Sequence, residues 1–189
     1  MNLWLRLIFY ALAVRARPRV ELPGGVSRLA FRVWPSDLDT SLHMNNGRYL
    51  TLMDIGRLDI MVVSGLWRAV LRHRWTPIAS AIKIRFRREL KTFQRFRLET
   101  RLVAWDRASV IMEQTFLIDG GPRDGQIAAQ GLFKGGIYDR TAKTFVEIER
   151  LMAEIGVAAE SPPMTPEVEA FLKADDELKR AADRSAKLE

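Results

Sequence analysis

Hydrophobic and polar residues follow two different periods along this chain, and the change of period marks the predicted elements. From Ser27 to Val33 they alternate, which predicts a half-buried strand. From Gly47 to Ser64 the apolar residues recur every three or four positions, which predicts a helix. The opposite side of this helix is also apolar: Leu58, Met61 and Val62. We therefore expect a helix buried on nearly all sides. Gly56 lies at its centre, although glycine is less favourable than alanine inside a helix by about 1 kcal/mol. Its presence predicts that another segment of backbone approaches the helix closely there.

The alternating pattern returns after the helix and predicts a run of antiparallel strands. A short helical turn over Leu66–Trp75 is expected to end at Pro77. Strands are predicted at 78–86, 96–102, 110–118, 127–138 and 144–148, followed by helices at 149–156 and beyond Pro166. The order of strand, buried helix and strands suits a sheet that curls around the helix, with a second copy closing the open side.

The first seventeen residues predict a helix that is apolar except for one narrow stripe of Asn2, Arg6, Ala13 and Arg17. Arg6 interrupts it too early for a bilayer span of about 20 residues or for the apolar region of a secretory signal. Two interpretations stay open. The segment 1–19, which also holds Arg15 and Arg19, lies on an anionic membrane surface, or the helix docks on the protein itself.

Composition narrows the classes of function. The absence of cysteine excludes disulfides, thiolate metal sites and a cysteine nucleophile, and two separated histidines argue against a metal site. The net charge of +7 favours anionic partners, and much of it lies between Lys83 and Arg107. These basic strands lack an aromatic-rich stacking pattern, so we expect no nucleic-acid partner.

The stretch Asp37–Tyr49 gathers polar residues directly ahead of the buried helix. Asp, Ser and Asn at such a place are ordinary turn and cap residues. A carboxylate beside the free amides of a helix start is also suited to act as base or nucleophile next to an oxyanion site. Local composition alone favours the interpretation as turn and cap residues.

The pattern of Asp37-Leu38-Asp39 followed ten residues later by Tyr49 resembles the hotdog-fold thioesterases of the hydroxybenzoyl-CoA thioesterase type. The fuller run from Pro35 to Leu50 resembles the subgroup named after thioesterase superfamily member six. The resemblance implies an α+β hotdog fold, in which an antiparallel β-sheet wraps around a long central α-helix. It divides the chain into an N-terminal apolar and basic helix with its connector (1–24), a hotdog thioesterase domain (25–160) and a C-terminal polar helix (161–189).

The same resemblance assigns candidate site residues. The family's catalytic carboxylate falls on Asp39, and its carbonyl-polarising helix amide falls on Asn46. His43 also matches a related plant acyl-carrier-protein thioesterase motif, although Ser41 replaces an Asn there. Two further residues are candidates for substrate binding: Tyr49 and Asp54. An ion pair with Arg57 is an equal alternative for Asp54.

A row of basic residues along and just after a predicted strand is the candidate contact for the phosphates of coenzyme A: Lys83, Arg85, Arg87 and Arg88. The alternative interpretation is that these residues only form a solvated face of the strand. We call these four residues the basic row.

We therefore expect a lipid-metabolic enzyme that hydrolyses an acyl-CoA or acyl-carrier-protein thioester to a free acid. No cofactor is expected besides coenzyme A as part of the substrate. The resemblance implies a homo-oligomer, a dimer or tetramer, and we expect a cytoplasmic protein peripheral to the membrane. The alternative is a membrane-associated acyl-binding or scaffolding hotdog protein with little turnover. Acyl length, and general-base against anhydride catalysis by Asp39, stay open.

Overall fold

Six antiparallel strands form one sheet, and a long helix lies against it. The computed structural model describes residues 3–14, 17–157 and 160–185. The helices are α1 (Leu3–Ala13), α2 (Asn46–Ser64), α3 (Leu66–Arg72), α4 (Ile148–Ala153) and α5 (Pro166–Ser185). The strands are β1 (Val26–Arg32), β2 (Trp75–Phe86), β3 (Arg95–Trp105), β4 (Val110–Asp119), β5 (Ile127–Asp139) and β6 (Thr144–Phe145).

The sheet has the order β1-β3-β4-β5-β2, with β6 paired to β5. Strands β3, β4 and β5 follow one another as hairpins, and the two N-terminal strands flank them as edges. The alternation of each strand gives the sheet one mostly apolar inner face. On β4 its buried members are Met112, Phe116, Ile118 and the polar Gln114. This face packs against α2.

Helix α2 has a well-defined start and end. The side chain of Asn45 accepts a hydrogen bond from the Gly47 amide at 2.8 Å and caps the first turn. Gly65 ends the helix in the left-handed conformation at φ 91°. Nine of its nineteen residues are buried, and Leu58, Met61 and Val62 of the predicted opposite side are partly covered. The predicted burial on nearly all sides is therefore only partly present, since Leu50 and Asp54 are exposed.

The region around Pro77 differs from the prediction. Helix α3 ends at Arg72, and Pro77 lies inside β2, which already begins at Trp75. Proline is tolerated there because β2 pairs with β5 on one side only, and a proline removes no ladder hydrogen bond on the free side. The predicted helical turn up to Pro77 was therefore wrong at its end.

Helix α1 packs on the protein through its polar stripe. The Arg6 side chain is buried, donates to the carboxylate of Asp37 and reaches the carbonyl oxygen of Arg32 at 3.3 Å. The opposite side of α1 exposes apolar residues, with Ile8 54% and Leu12 74% accessible. Arg6 of the stripe thus faces inward. Met1, Asn2, Arg15 and Ala16 of the predicted segment lie outside the described residues.

Helix α5 covers part of the outer face of the sheet. Val168 joins Ala104 and Ile111 in a small apolar cluster, and Lys134 pairs with Asp175 at 2.8 Å. Leu178, further along the helix, is 73% exposed. In the part of the chain that the structure describes, no helix combines the length and the hydropathy needed to cross a membrane.

Gly56 marks a close approach of α2 to the sheet. A Cβ atom at this position would lie 2.6 Å from Thr100 Oγ1, 2.7 Å from Gln114 Nε2 and 2.9 Å from Leu98 Cδ2. The predicted close approach is present, but side chains of β3 and β4 make it rather than another backbone. Gln114 also donates to the Met53 carbonyl oxygen at 2.9 Å and to Thr100 at 3.1 Å, so its amide cannot move aside without losing both bonds.

We predict that Gly56→Ala lowers the free energy of unfolding by about 1–2 kcal/mol, because overpacking outweighs the gain in helix propensity. Chemical denaturation measures the change. Gly24→Ala is the control, since its Cβ would meet nothing within 4 Å. Equal stability of Gly56→Ala and the parent would contradict the tight contact.

Candidate active site

A closed loop from Asp37 to Asn45 connects the edge of the sheet to α2. The backbone amide of Asn45 donates to the Asp37 carbonyl oxygen at 2.8 Å, and the Asp39 amide donates to the His43 carbonyl oxygen at 2.9 Å. These bonds bring the two arms of the loop together directly in front of the first turn of α2. We call this segment the Asp37–Asn45 loop.

Asp37 anchors the loop from inside the protein. Its side chain is 1% exposed and accepts from the Trp34 amide at 2.8 Å and from Arg6. Arg48 Nε lies 3.7 Å from the other carboxylate oxygen. A buried carboxylate needs such partners, and removing one member of a buried ion pair costs about 3–5 kcal/mol. Asp37 therefore has a structural role.

Asp39 differs from Asp37 in its environment. It is partly exposed, and its Oδ1 atom accepts from the backbone amides of Ser41 at 2.9 Å and His43 at 3.3 Å. Among the described residues, its Oδ2 atom has no hydrogen-bond partner. One oxygen thus holds the side chain in place while the other stays available to a substrate or a water molecule.

His43 lies beside Asp39 in the loop, but its imidazole points elsewhere. Its Nε2 atom is 3.8 Å from Glu89 Oε2, and only its backbone amide contacts the Asp39 carboxylate. The geometry therefore assigns the orientation of Asp39 to the backbone of residue 43 and not to the imidazole ring.

Asn46 is the first residue of α2, and its amide is available. The Gly47 amide is used by the Asn45 cap, and the Arg48 amide donates to the Asn45 carbonyl oxygen at 2.8 Å. No acceptor for the Asn46 amide occurs in the described ranges. An unpaired amide at a helix start carries partial positive charge and attracts anions.

Tyr49 lies one turn further along α2 and is a core residue. Its ring is 5.0 Å from that of Phe86 and 4.9 Å from that of Phe116, both in edge-to-face contacts. Burial raises the pKa of Tyr49 to about 12. The contact with Phe86 ties the start of α2 to the C-terminal end of β2.

The segment after β2 brings the end of the basic row to the Asp37–Asn45 loop. The Met44 amide donates to the Leu90 carbonyl oxygen at 2.9 Å. The backbones of His43 and Lys91 form an isolated antiparallel β-bridge. All four side chains of the basic row are at least partly exposed, and none has an ion-pair partner in the described part of the chain. Lys83 stands furthest from the loop, at the middle of β2.

Asp54 forms an ion pair with Arg57, as the alternative interpretation of this residue predicts. The Asp54 side chain is 66% exposed and that of Arg57 only 10%. Arg57 donates to Gln114 Oε1 at 3.0 Å and stacks on Phe133, with Cζ 4.1 Å from the ring centre. Burial lowers the pKa of Arg57, and Asp54 opposes that shift.

Asp54 and Arg57 stand at one side of an otherwise apolar cavity of about 320 Å³. It lies between the second half of α2 and the sheet, and α3 and α4 close it. Its apolar lining includes Ile60, Trp67, Met112, Phe133 and Leu151. The start of β2 also borders it, at Pro77, Ile78 and Ala79. We call it the apolar cavity.

Comparison with known proteins decides the family. The Thioesterase-like superfamily matches residues 33–172, which include the Asp37–Asn45 loop, α2 and strands β2 to β6. The chain belongs to this superfamily. Membership and fold point to thioester hydrolysis as the class of activity.

Two relatives of this thioesterase-like chain carry the name Protein THEM6. The Drosophila melanogaster protein is 27% identical over 150 residues, which are 78% of this chain and 77% of the relative. The Danio rerio protein is 34% identical over 116 residues, which are 61% of this chain and 56% of the relative. The resemblance to the subgroup of thioesterase superfamily member six is confirmed.

Solved thioesterase structures share the fold. The probable thioesterase YbaW from Escherichia coli aligns with a TM-score of 0.61 at 23% identity, over 68% of this chain and 94% of that one. A variant of 4-hydroxybenzoyl-CoA thioesterase in complex with 4-hydroxybenzoyl-CoA aligns with a TM-score of 0.63 at 12% identity. The alignment covers 70% of this chain and 99% of that one. The α+β hotdog fold is confirmed.

Sequence reasoning missed the buried polar partners that support the thioesterase-like site. Arg6 donates a hydrogen bond to the Asp37 carboxylate, and Gln114 accepts one from Arg57. Asp59 is fully buried on α2 and binds Ser27 and Arg17. A polar residue at an inward position of an amphipathic element was the available signal. Gln114 in its alternating strand and Asp59 in its apolar helix both show it.

Proposed function

We propose that the protein hydrolyses acyl-CoA thioesters to a free acid and coenzyme A, with Asp39 as the catalytic carboxylate. One observation carries the proposal. Asp39 is held by two backbone amides through one oxygen and has a free second oxygen, in a loop that ends at the available amide of Asn46. The Asn46 amide would stabilise the oxyanion, a role worth about 3–4 kcal/mol of barrier.

Asp39 can serve in either of two ways. As a general base it removes a proton from a water molecule that attacks the thioester carbonyl carbon. As a nucleophile it attacks that carbon itself and forms a mixed anhydride, which water then hydrolyses. In both routes the thiolate of coenzyme A leaves, and the geometry at Asp39 Oδ2 suits both.

The basic row supports coenzyme A as the carrier of the acyl group. Its C-terminal members follow β2 into the segment that pairs with the Asp37–Asn45 loop through Met44 and Leu90. Exposed arginines without carboxylate partners are suited to bidentate contacts with phosphate groups. A thioester held near Asp39 would place its phosphates within reach of Arg87 and Arg88.

Two copies of the chain would assemble each site. The free edge of β2 exposes Ile78, Ile82 and Phe86. Two such edges related by a two-fold axis run antiparallel, so the start of one strand meets the end of the other. The start of β2 borders the apolar cavity, and its end leads to the Asp37–Asn45 loop. The acyl chain would therefore lie in the cavity of one subunit while Asp39 of the other attacks.

We expect Asp39→Asn to lower acyl-CoA turnover by about 10²–10⁴, the usual effect of removing a general acid–base group. The amide can keep the bonds from Ser41 and His43, so the free energy of unfolding should stay close to that of the parent. Steady-state kinetics and denaturation measure both quantities.

Asp106→Asn is the matched control for Asp39, because Asp106 Oδ1 also accepts two backbone amides in a turn, at 2.8 and 2.7 Å. It should retain parental turnover. The proposal for Asp39 is wrong if both variants turn over acyl-CoA equally well.

A second prediction concerns the Asn46 amide. Proline is well accepted at the first position of a helix, and Asn45 already has the extended conformation (φ −57°, ψ 137°) that precedes proline. Asn46→Pro should therefore keep the helix and lower kcat by about 10²–10³, since it deletes the oxyanion donor. Asn46→Ala, which keeps the amide, should retain most activity. Equal kcat values for the two variants would exclude the amide from catalysis.

The pairing of subunits is tested at Ile82. We expect the parent to sediment at twice 21.6 kDa or more. Ile82→Lys should shift it to the single-chain mass and abolish turnover, because two lysines would meet near the two-fold axis. Leu178→Lys adds the same charge to an exposed leucine on α5 and should change neither property. A parent that remains a 21.6 kDa species at micromolar concentration argues against the shared site.

A second candidate function is acyl binding or scaffolding with little turnover, which the apolar cavity alone would support. A panel of acyl-CoA substrates of increasing chain length separates the two. Binding at every length without release of free coenzyme A favours the binding function.

We also propose that α1 contacts an anionic membrane surface and places the protein at the membrane periphery. The exposed Ile8 and Leu12 lie one turn apart on the side of α1 that faces away from the protein. Arg19, which follows α1, adds an exposed basic side chain.

The combined change of Ile8→Ser and Leu12→Ser should weaken binding to anionic vesicles roughly tenfold or more, since each buried aliphatic side chain contributes about 1.5–3 kcal/mol. Stability should not change, because both side chains are exposed. Vesicle co-sedimentation checks the binding. The control variant combines Leu71→Ser and Leu178→Ser, because both leucines are exposed and lie on other helices. Unchanged binding in the α1 variant would rule out this contact.

A further inference from the structure

A second cavity, distinct in its lining from the apolar cavity, separates α1 from the edge of β1. Its volume is about 660 Å³, and no residue lines both cavities. Four arginines line it: Arg6, Arg17, Arg32 and Arg95. We call it the arginine cavity.

Two of these arginines present buried donors with no acceptor. Arg6 is 6% exposed; one terminal nitrogen serves Asp37, but its Nη1 atom has no partner in the described ranges. Arg17 donates to Asp59 at 2.7 Å, while its buried Nε atom is likewise unpaired there. Buried donors without partners are costly, and both belong to side chains that line the arginine cavity, so a small movement would bring them to a ligand there.

The rim of the arginine cavity carries further positive charge. Arg32 of β1 lies directly opposite Arg95 of β3 in the sheet, an arrangement that is unfavourable between equal charges. Arg95 is 3.5 Å from Asp119, but Arg32 has no ion-pair partner among the described residues. Elsewhere on β1, the cross-strand pair has opposite charges: Arg28 bonds Glu99 at 3.0 Å.

Carboxylates around the arginine cavity do not balance it. Asp37 is shared between Arg6 and Arg48, and Asp119 between Arg95 and Arg97. Asp59 is the remaining carboxylate. One of its oxygens is unpaired and lies near the Tyr10 hydroxyl, which is its natural partner after a small movement. The cavity thus keeps an excess of positive charge.

We propose that the arginine cavity binds a phosphate group between Arg6, Arg17 and Arg32. Planar guanidinium groups with free N–H donors match the tetrahedral oxygens of phosphate and bind them by charge-assisted hydrogen bonds. The group can come from a soluble phosphate or from a phospholipid headgroup. The second source is available because the exposed Ile8 and Leu12 lie on the same helix as Arg6. The binding is independent of thioester hydrolysis.

Binding of inorganic phosphate is measured first, by calorimetry and by thermal unfolding of the full chain. At about ten times its Kd, phosphate should raise the midpoint by roughly 3–6 °C in a saturable way. Arg32→Gln should weaken binding about tenfold or more, as expected for the loss of a charged hydrogen bond. Arg6→Lys keeps the charge beside Asp37 but lacks the second terminal nitrogen, and it should weaken binding as well.

Arg28→Gln is the matched control. It removes the same charge from the same strand outside the arginine cavity and should leave phosphate binding at the parental level. A midpoint rise that is equal in parent, Arg32→Gln and Arg28→Gln would be a general salt effect and would overturn the proposal. Absence of any saturable binding would mean that only water fills the cavity, and it would overturn the proposal as well.

The source of the phosphate is distinguished with vesicles. Parent and variants are added to vesicles of phosphatidylcholine, with and without phosphatidic acid. Tighter binding to phosphatidic acid that Arg32→Gln weakens and Arg28→Gln does not identifies a lipid headgroup. Phosphate binding in solution with no such difference on vesicles identifies a soluble phosphate. Because Arg32 lies outside the proposed catalytic residues, acyl-CoA turnover in Arg32→Gln should equal that of the parent.

Discussion

The contact between α2 and the sheet at Gly56 is the constraint on which the other functional elements depend. Gln114 donates to the Met53 carbonyl oxygen at 2.9 Å and accepts from Arg57 at 3.0 Å, so it fixes the helix along its axis and around it. A helix rises about 5.4 Å per turn. A slip of one turn would therefore remove the Asn46 amide from the Asp37–Asn45 loop and would also deform the apolar cavity.

Charge inside the protein is organised by the same helix and the loop before it. Asp37 in the loop and Asp59 on α2 are both buried, and each takes an arginine from the N-terminal segment. The candidate catalytic carboxylate Asp39, two residues after Asp37, receives only backbone amides. Two carboxylates in one short motif thus have different surroundings, because one is enclosed by cations and the other is partly exposed.

Periodicity was sufficient to predict the central helix and the run of strands, since these elements are long and regularly patterned. It failed at Pro77, where a proline that usually ends a helix is tolerated on a free sheet edge. It also could not indicate that Arg6 faces inward, because the partner Asp37 is 31 residues away. The motif marked Asp39 and Asn46 as candidates, whereas the contact of Leu90 with Met44 depends on the fold.

The order of the strands has a consequence for biosynthesis. Strands β3, β4 and β5 are successive hairpins, and they can pair as soon as they emerge from the ribosome. Strand β1 cannot pair until β3 has been synthesised. Strand β2 cannot pair until β5 has been synthesised, because its first residue, Trp75, is paired with Asp139 at the end of β5. The N-terminal half, with α2 and the Asp37–Asn45 loop, is therefore synthesised before the surface that receives it. During that interval its apolar helix is exposed, and a chaperone that shields apolar segments would protect it until β5 is complete.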